Sequence, residues 1–153
     1  MSTLTLGDRI GSWAAGEPSV HLLVLIGSHT RAPDKIDAAD VYSDWDFQVG
    51  TSRPEMFLSG TWLEAIGLKP RAYVIRPGRL GSAQKASVVT DAGELDLVII
   101  PVQPLRSLGE VMQKGRRNTY LETSQALSDL ATVLAGGFRI LKGADEFAGI
   151  FDL

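Results

Sequence analysis

The sequence predicts an α+β domain, α/β-like in places, in which a small mixed β-sheet carries helices packed on it. Three observations lead there. Several apolar or alternating runs are too short for ordinary helices and are bounded by Gly, Pro or Asp. Stretches of helical period flank them. The polar "TDAG" between two of the runs is a hairpin signal, which makes at least that pair antiparallel.

At 153 residues the chain suits one domain with a real core and is short for two. A single domain over 1–153 is expected, with a motif-bearing core at 20–102 and a helical tail at 103–153. Leu4, Leu6, Ile10 and Trp13 recur at roughly helical spacing until "GEPS" breaks the pattern. "VHLLVLI", Val20 to Ile26, is branched and apolar throughout and reads as a buried strand ended by Gly27. Residues 29 to 42 mix Pro with aspartates and read as a loop with a short helical turn near 36 to 40. "SDWDFQV" alternates, with Asp44, Asp46 and Gln48 on one face and Trp45, Phe47 and Val49 on the other.

Pro54 and Glu55 suit a helix start, and Met56, Phe57, Trp62, Leu63 and Ile66 supply apolar positions up to Gly67, although Gly60 weakens the interior. "RAYVIRPG" and the two halves of "KASVVTDAGELDLVIIP" read as three further strands. Helices are expected at about 105 to 114 and 120 to 135, the latter marked by Leu121, Leu127, Leu130 and Leu134, before a closing apolar stretch at "FRILKG".

Composition excludes several functions. The chain has 15 Lys and Arg against 18 Asp and Glu, and its longest basic run is Arg116-Arg117, so nucleic acid is not an expected partner. It has no cysteine, which removes disulfides, thiolate metal sites and a Cys nucleophile and suits a cytoplasmic location. The first residues lack the basic start and apolar core of a signal peptide. No apolar run approaches the roughly 20 residues of a membrane span, so no membrane partner is expected. Oligomeric state is left open.

Three segments carry chemistry. "LIGSHTR" leaves a buried strand through Gly27 and Ser28, whose backbone amides and hydroxyl suit phosphate oxygens; the same pair can also simply end a strand and cap the next turn. Asp44 and Asp46, two apart on a strand, project from one face and can share hard cations such as Mg²⁺, or can be ordinary acids on a solvated face. Without a cation their repulsion raises a pKa. Asp96 precedes the apolar "LVII", where an unpaired carboxylate is costly, so a partner is expected: a cation, or a salt bridge from Arg31, Arg71 or Arg76. Glu94 shares its face nearer the turn. Three acids from two strands beside a phosphate cradle are the parts needed for two-metal nucleotidyl transfer, in which an acid near the attacking hydroxyl accepts its proton.

Jointly, "LIGSHTR", "SDWDFQV" and "ELDLVIIP" resemble the motif of the nucleotidyltransferase superfamily, and are most similar to the aminoglycoside 6-adenylyltransferase (streptomycin adenylyltransferase) family. The resemblance covers about residues 20 to 102 and implies the nucleotidyltransferase (DNA polymerase beta-like) fold. It implies that Gly27 and Ser28 contact the phosphates of ATP, that Asp44 and Asp46 ligate two Mg²⁺ ions, and that Asp96 completes the metal site and serves as base. The implied product is an adenylylated hydroxyl on an aminoglycoside-like acceptor, the chemistry of antibiotic resistance. His29 stands where such families often have Arg, and Arg31, with its bidentate fork, is the expected phosphate partner. The resembling enzymes continue into a helical C-terminal region, whereas this chain ends at Leu153. Two other readings remain beside this one: a minimal nucleotidyltransferase that modifies a protein in a toxin and antitoxin pair, and a nucleotide-binding module without turnover. Trp45, Phe47 and Trp62 are expected to pack, and His21 to be a satisfied strand histidine.

Overall fold

The chain enters its first helix through a reciprocal cap. The Thr5 hydroxyl accepts from the Asp8 amide at 3.0 Å and the Asp8 carboxylate accepts from the Thr5 amide at 3.1 Å, so two orphan donors of the helix start are satisfied. The computed structural model describes residues 4–30, 44–77, 83–113 and 137–147, apart from the side chains of Ser28 and of 108–113. Helix α1 spans Leu6–Gly16 and buries Leu6, Ile10 and Ala14, which recur once per turn. Leu4 lies outside it and is exposed. At its far end Lys142 Nζ donates to the carbonyls of Ala14 (2.7 Å) and Glu17 (3.0 Å), setting a cation at the negative end of the helix.

Six strands follow: β1 Val20–Ile26, β2 Trp45–Thr51, β3 Pro70–Pro77, β4 Gln84–Thr90, β5 Gly93–Pro101 and β6 Phe138–Lys142. They form one mixed sheet in the order β3-β4-β5-β2-β1-β6. β2 and β5 run parallel, and the other neighbours are antiparallel. The domain is therefore α+β, as the alternating runs and the hairpin imply.

One sheet face is apolar along its length. Leu23, Leu25, Phe47, Val49, Leu95, Leu97, Ile99, Ala86 and Val88 pack there under α1 and under Phe57, Trp62 and Leu63. Burying a side chain such as Phe47, 1% exposed, contributes about 2–3 kcal/mol. The opposite face is divided. Toward the C-terminal ends of β2 and β5, Leu22, Val24 and Ile100 meet Val102, Leu105 and Phe147. Helix α3, Val102–Gln113, supplies Leu105, which lies over Gly50 so closely that a Cβ there would come within 2.8 Å of it. The other half of that face carries the acids.

The structure departs from the expected elements in three places. The single helix expected from Pro54 to Gly67 is two pieces, a 3-10 turn Pro54–Phe57 and the short helix α2, Thr61–Glu64. The Tyr73 hydroxyl from β3 donates to the Phe57 carbonyl and accepts from Trp62 Nε1 at 3.0 Å, which ends the first piece and anchors the second. Gly60 between them leaves room for Pro70. Second, α3 starts at Val102, directly after β5, rather than near 105. Third, "FRILK", in the segment read as a helical tail, is an edge strand beside β1. The helix expected at 120 to 135 and the turn at 36 to 40 lie outside the described residues. Among those residues no helix is long and apolar enough to cross a membrane.

Lys142→Met removes both bonds to the end of α1 and is expected to lower stability by about 1–2 kcal/mol. The check is a urea titration, in which the midpoint falls and the slope is unchanged.

Candidate functional site

Strand register decides which side chains meet. In the parallel ladder Asp46 lies directly opposite Asp96, and Trp45 opposite Leu95. One residue further back, Asp44 precedes β2 and Glu94 lies on β5, and their carboxyl groups are near enough that one, when protonated, can donate to the other. Asp44, Asp46, Glu94 and Asp96 therefore share the face opposite Trp45, Phe47, Leu95 and Leu97. The sequence placed three of these acids on one site and left Glu94 nearer the turn. The structure brings Glu94 in beside Asp44, and it is exposed, as expected.

Gly27 closes one side of the group. It follows β1 at φ +82, and a Cβ on it would approach Asp46 Oδ2 to 3.0 Å. Both the backbone conformation and the close approach call for glycine. The turn Gly27–Thr30 is a single 3-10 turn, tied by the Thr30 hydroxyl to the Gly27 carbonyl at 2.6 Å. The Gly27 amide, expected to face phosphate, instead donates to the Gly137 carbonyl at 3.2 Å and extends the β1–β6 pairing. Any anion at this turn would use amides beyond Gly27. Ser28 lies in the turn; Arg31 falls outside the described residues.

Repulsion and burial act together on Asp46. Burial comes first, then the charges of Asp96 and Asp44, and these raise its pKa to about 6 while Lys85 opposes them. Glu94 is also raised, chiefly by its hydrogen bond and charge contact with Asp44. The partner expected for Asp96 among Arg31, Arg71 and Arg76 is a different residue: Lys85 Nζ lies 3.8 Å from Asp96 Oδ2. Lys85 was legible from the hairpin. A two-residue turn pairing Thr90 with Gly93 sets Ser87 opposite Asp96 and Lys85 opposite Val98, on the acids' own face.

Carboxylate oxygens are the donors that hard divalent cations prefer, so the donor set fits Mg²⁺ in kind. As the side chains stand, no three acidic, imidazole or thiol groups among the described residues are gathered tightly enough to hold an ion. Asp44 is engaged by Glu94, and Asp96 by Lys85.

The two histidines have different surroundings. His29 stacks on Trp45 with ring centroids 3.5 Å apart, which draws it toward the apolar face. Trp45, expected in the core, is only half-buried, and its other neighbours include Gly7 of α1, where a side chain would strike the ring. His21 lies at the opposite end of the sheet, with Nε2 3.3 Å from the Ser52 hydroxyl and Nδ1 3.4 Å from Arg106 Nη2. Arg106 is always a donor, so Nδ1 accepts and Nε2 carries the proton toward Ser52. That arrangement suits a satisfied strand histidine and leaves it no lone pair to activate Ser52.

No family model matches the chain, and no curated protein matches it. Among solved structures, the chain is similar to an aminoglycoside 6-adenyltransferase from Bacillus subtilis, with 17% identity and a TM-score of 0.46 over 71% of this chain. The chain spans 39% of the length of that protein.

Asp46 retains its proton in the folded state between about pH 4 and 6, where the unfolded chain has released it. The folded state thus binds more protons there, and stability falls as pH rises through that window. Asp46→Asn is expected to raise stability by about 1 kcal/mol at pH 7.5, a figure discounted for the partial exposure of the group. The gain should largely vanish at pH 4. Urea midpoints for both proteins at the two pH values, in chelator, check this.

Proposed function

We propose that this chain is a metal-dependent nucleotidyltransferase of adenylyltransferase type, which moves an adenylyl group from ATP to a hydroxyl of a small, aminoglycoside-like acceptor. The observation that carries the reading is the register of β2 on β5, which sets Asp46 beside Asp96 while Gly27 backs against the Asp46 carboxylate. Acids arranged for packing alone would not be stacked where each raises the free energy of the next. The likeness of the three motif segments to nucleotidyltransferases supplies the donor, ATP, and the fold type, DNA polymerase beta-like.

Asp44, Asp46 and Asp96 would hold the metal, for which two Mg²⁺ ions are proposed. Bound there, Mg²⁺ would offset the charge of the triphosphate and of the departing pyrophosphate. The remaining work falls to the chain. The turn at Gly27 and Ser28 seats donor phosphates against the acids, and the missing Cβ at Gly27 leaves that approach open. Asp96 accepts the proton of the acceptor hydroxyl as its oxygen bonds to the α-phosphorus and the bond to pyrophosphate breaks. Among the described residues the apolar cover from α3 and Phe147 lies toward the other end of the strands, away from the acids, and the acceptor is proposed to approach on the acids' side.

Single substitution of Asp44, Asp46 or Asp96 by Asn is expected to reduce Mg²⁺-dependent release of pyrophosphate from ATP by at least about 100-fold. The assay runs with a panel of aminoglycosides as acceptors. Turnover that survives all three substitutions sinks the reading.

A further inference from the structure

Lys85 sits between two charge systems. On β4 it lies opposite Val98 and one step along the sheet from the Ser87–Asp96 pair, so its side chain reaches Asp96 diagonally. On its other side, Arg76 of β3 is its direct cross-strand partner. Arg76 is exposed and makes no ion pair among the described residues. Two cations directly opposite on an exposed face repel, and that pairing is unfavourable until an anion meets them both.

The bond from Lys85 to Asp96 is suited to exchange. At 3.8 Å, with the Lys85 side chain 44% exposed and that of Asp96 27% exposed, the pair is long and open to water, hence weak and easily replaced. A divalent cation brings twice the charge of an ammonium and binds the carboxylate oxygen directly. An ion and Lys85 therefore compete for the same carboxylate.

We propose that Lys85 is the exchangeable counter-ion of Asp96: it holds the carboxylate while no divalent cation is bound, yields it when the cation arrives, and then joins Arg76 in binding the phosphates of a nucleoside triphosphate. The inference rests on the reading of the acids as a metal site and adds a residue that couples metal loading to donor binding. By linkage, metal and nucleotide then strengthen each other's binding beyond direct metal–phosphate contact. Ser87, between Val74 and Asp96 in the same cross-strand row, leaves the path from Lys85 to the acids free of bulk.

The test measures Mn²⁺ binding to the full chain by electron paramagnetic resonance, and binding of α,β-methylene-ATP with Mn²⁺ by calorimetry. Proteins compared are wild type, Lys85→Met, Lys85→Gln, Arg76→Met and Asp96→Asn, each checked for folding by its urea midpoint. Without nucleotide, both Lys85 variants should bind Mn²⁺ roughly fivefold more tightly or better, and Arg76→Met should stay within about twofold of wild type. With Mn²⁺ present, the Lys85 variants and Arg76→Met should each bind the nucleotide about tenfold more weakly. Unchanged Mn²⁺ affinity in the Lys85 variants overturns the exchange, and so does an equal gain in Arg76→Met, which would mark a diffuse charge effect. Those outcomes leave the metal site standing if Asp96→Asn still weakens Mn²⁺ binding. Wild type that binds no Mn²⁺, or binds it as Asp96→Asn does, overturns both the exchange and the functional reading.

Discussion

Asp46 and Asp96 face each other across the parallel ladder of β2 and β5, and the rest of the molecule is arranged around that repulsion. The pair lies near the middle of a six-stranded sheet, where a register slip would cost the packing of every strand it touches. On the opposite face Trp45, Phe47, Leu95 and Leu97 hold the register through the apolar core. The burial that stabilises the sheet therefore keeps two like charges together, and that burial first, then the charges of Asp96 and Asp44, push the pKa of Asp46 up to about 6.

The structure moderates this charge without removing it. Lys85 approaches one oxygen of Asp96, Glu94 lies beside Asp44, and Gly27 gives Asp46 a neighbour with no side chain. None of these is a tight, buried ion pair. Groups held by weak partners are available to stronger ones, and a cluster of like charges on a sheet is where local stability is traded for binding.

Legibility followed the range of the physics. The alternation of "SDWDFQV" showed the shared face of Asp44 and Asp46, because period two needs only the local backbone. The hairpin at Asp91 and Ala92 is visible for the same reason and contains the register that brings Lys85 to Asp96. The expected helix from 54 to 67 failed at Gly60, where a bond from Tyr73 and the bulk of Pro70 outweigh local propensity. "FRILK" showed apolar content but no partner, and its strand state comes from the free edge of β1.

The sequence by itself determined strands β1 to β5 and the face on which each acid projects, since these follow from backbone geometry and nearest neighbours. Only the tertiary structure decided that β2 and β5 run parallel with Asp46 against Asp96 and that the Gly27 amide goes to Gly137. Each of those contacts joins residues far apart in the chain. Their pairing is set by which strands share an edge and which apolar faces close over one another, and local patterns do not encode that order.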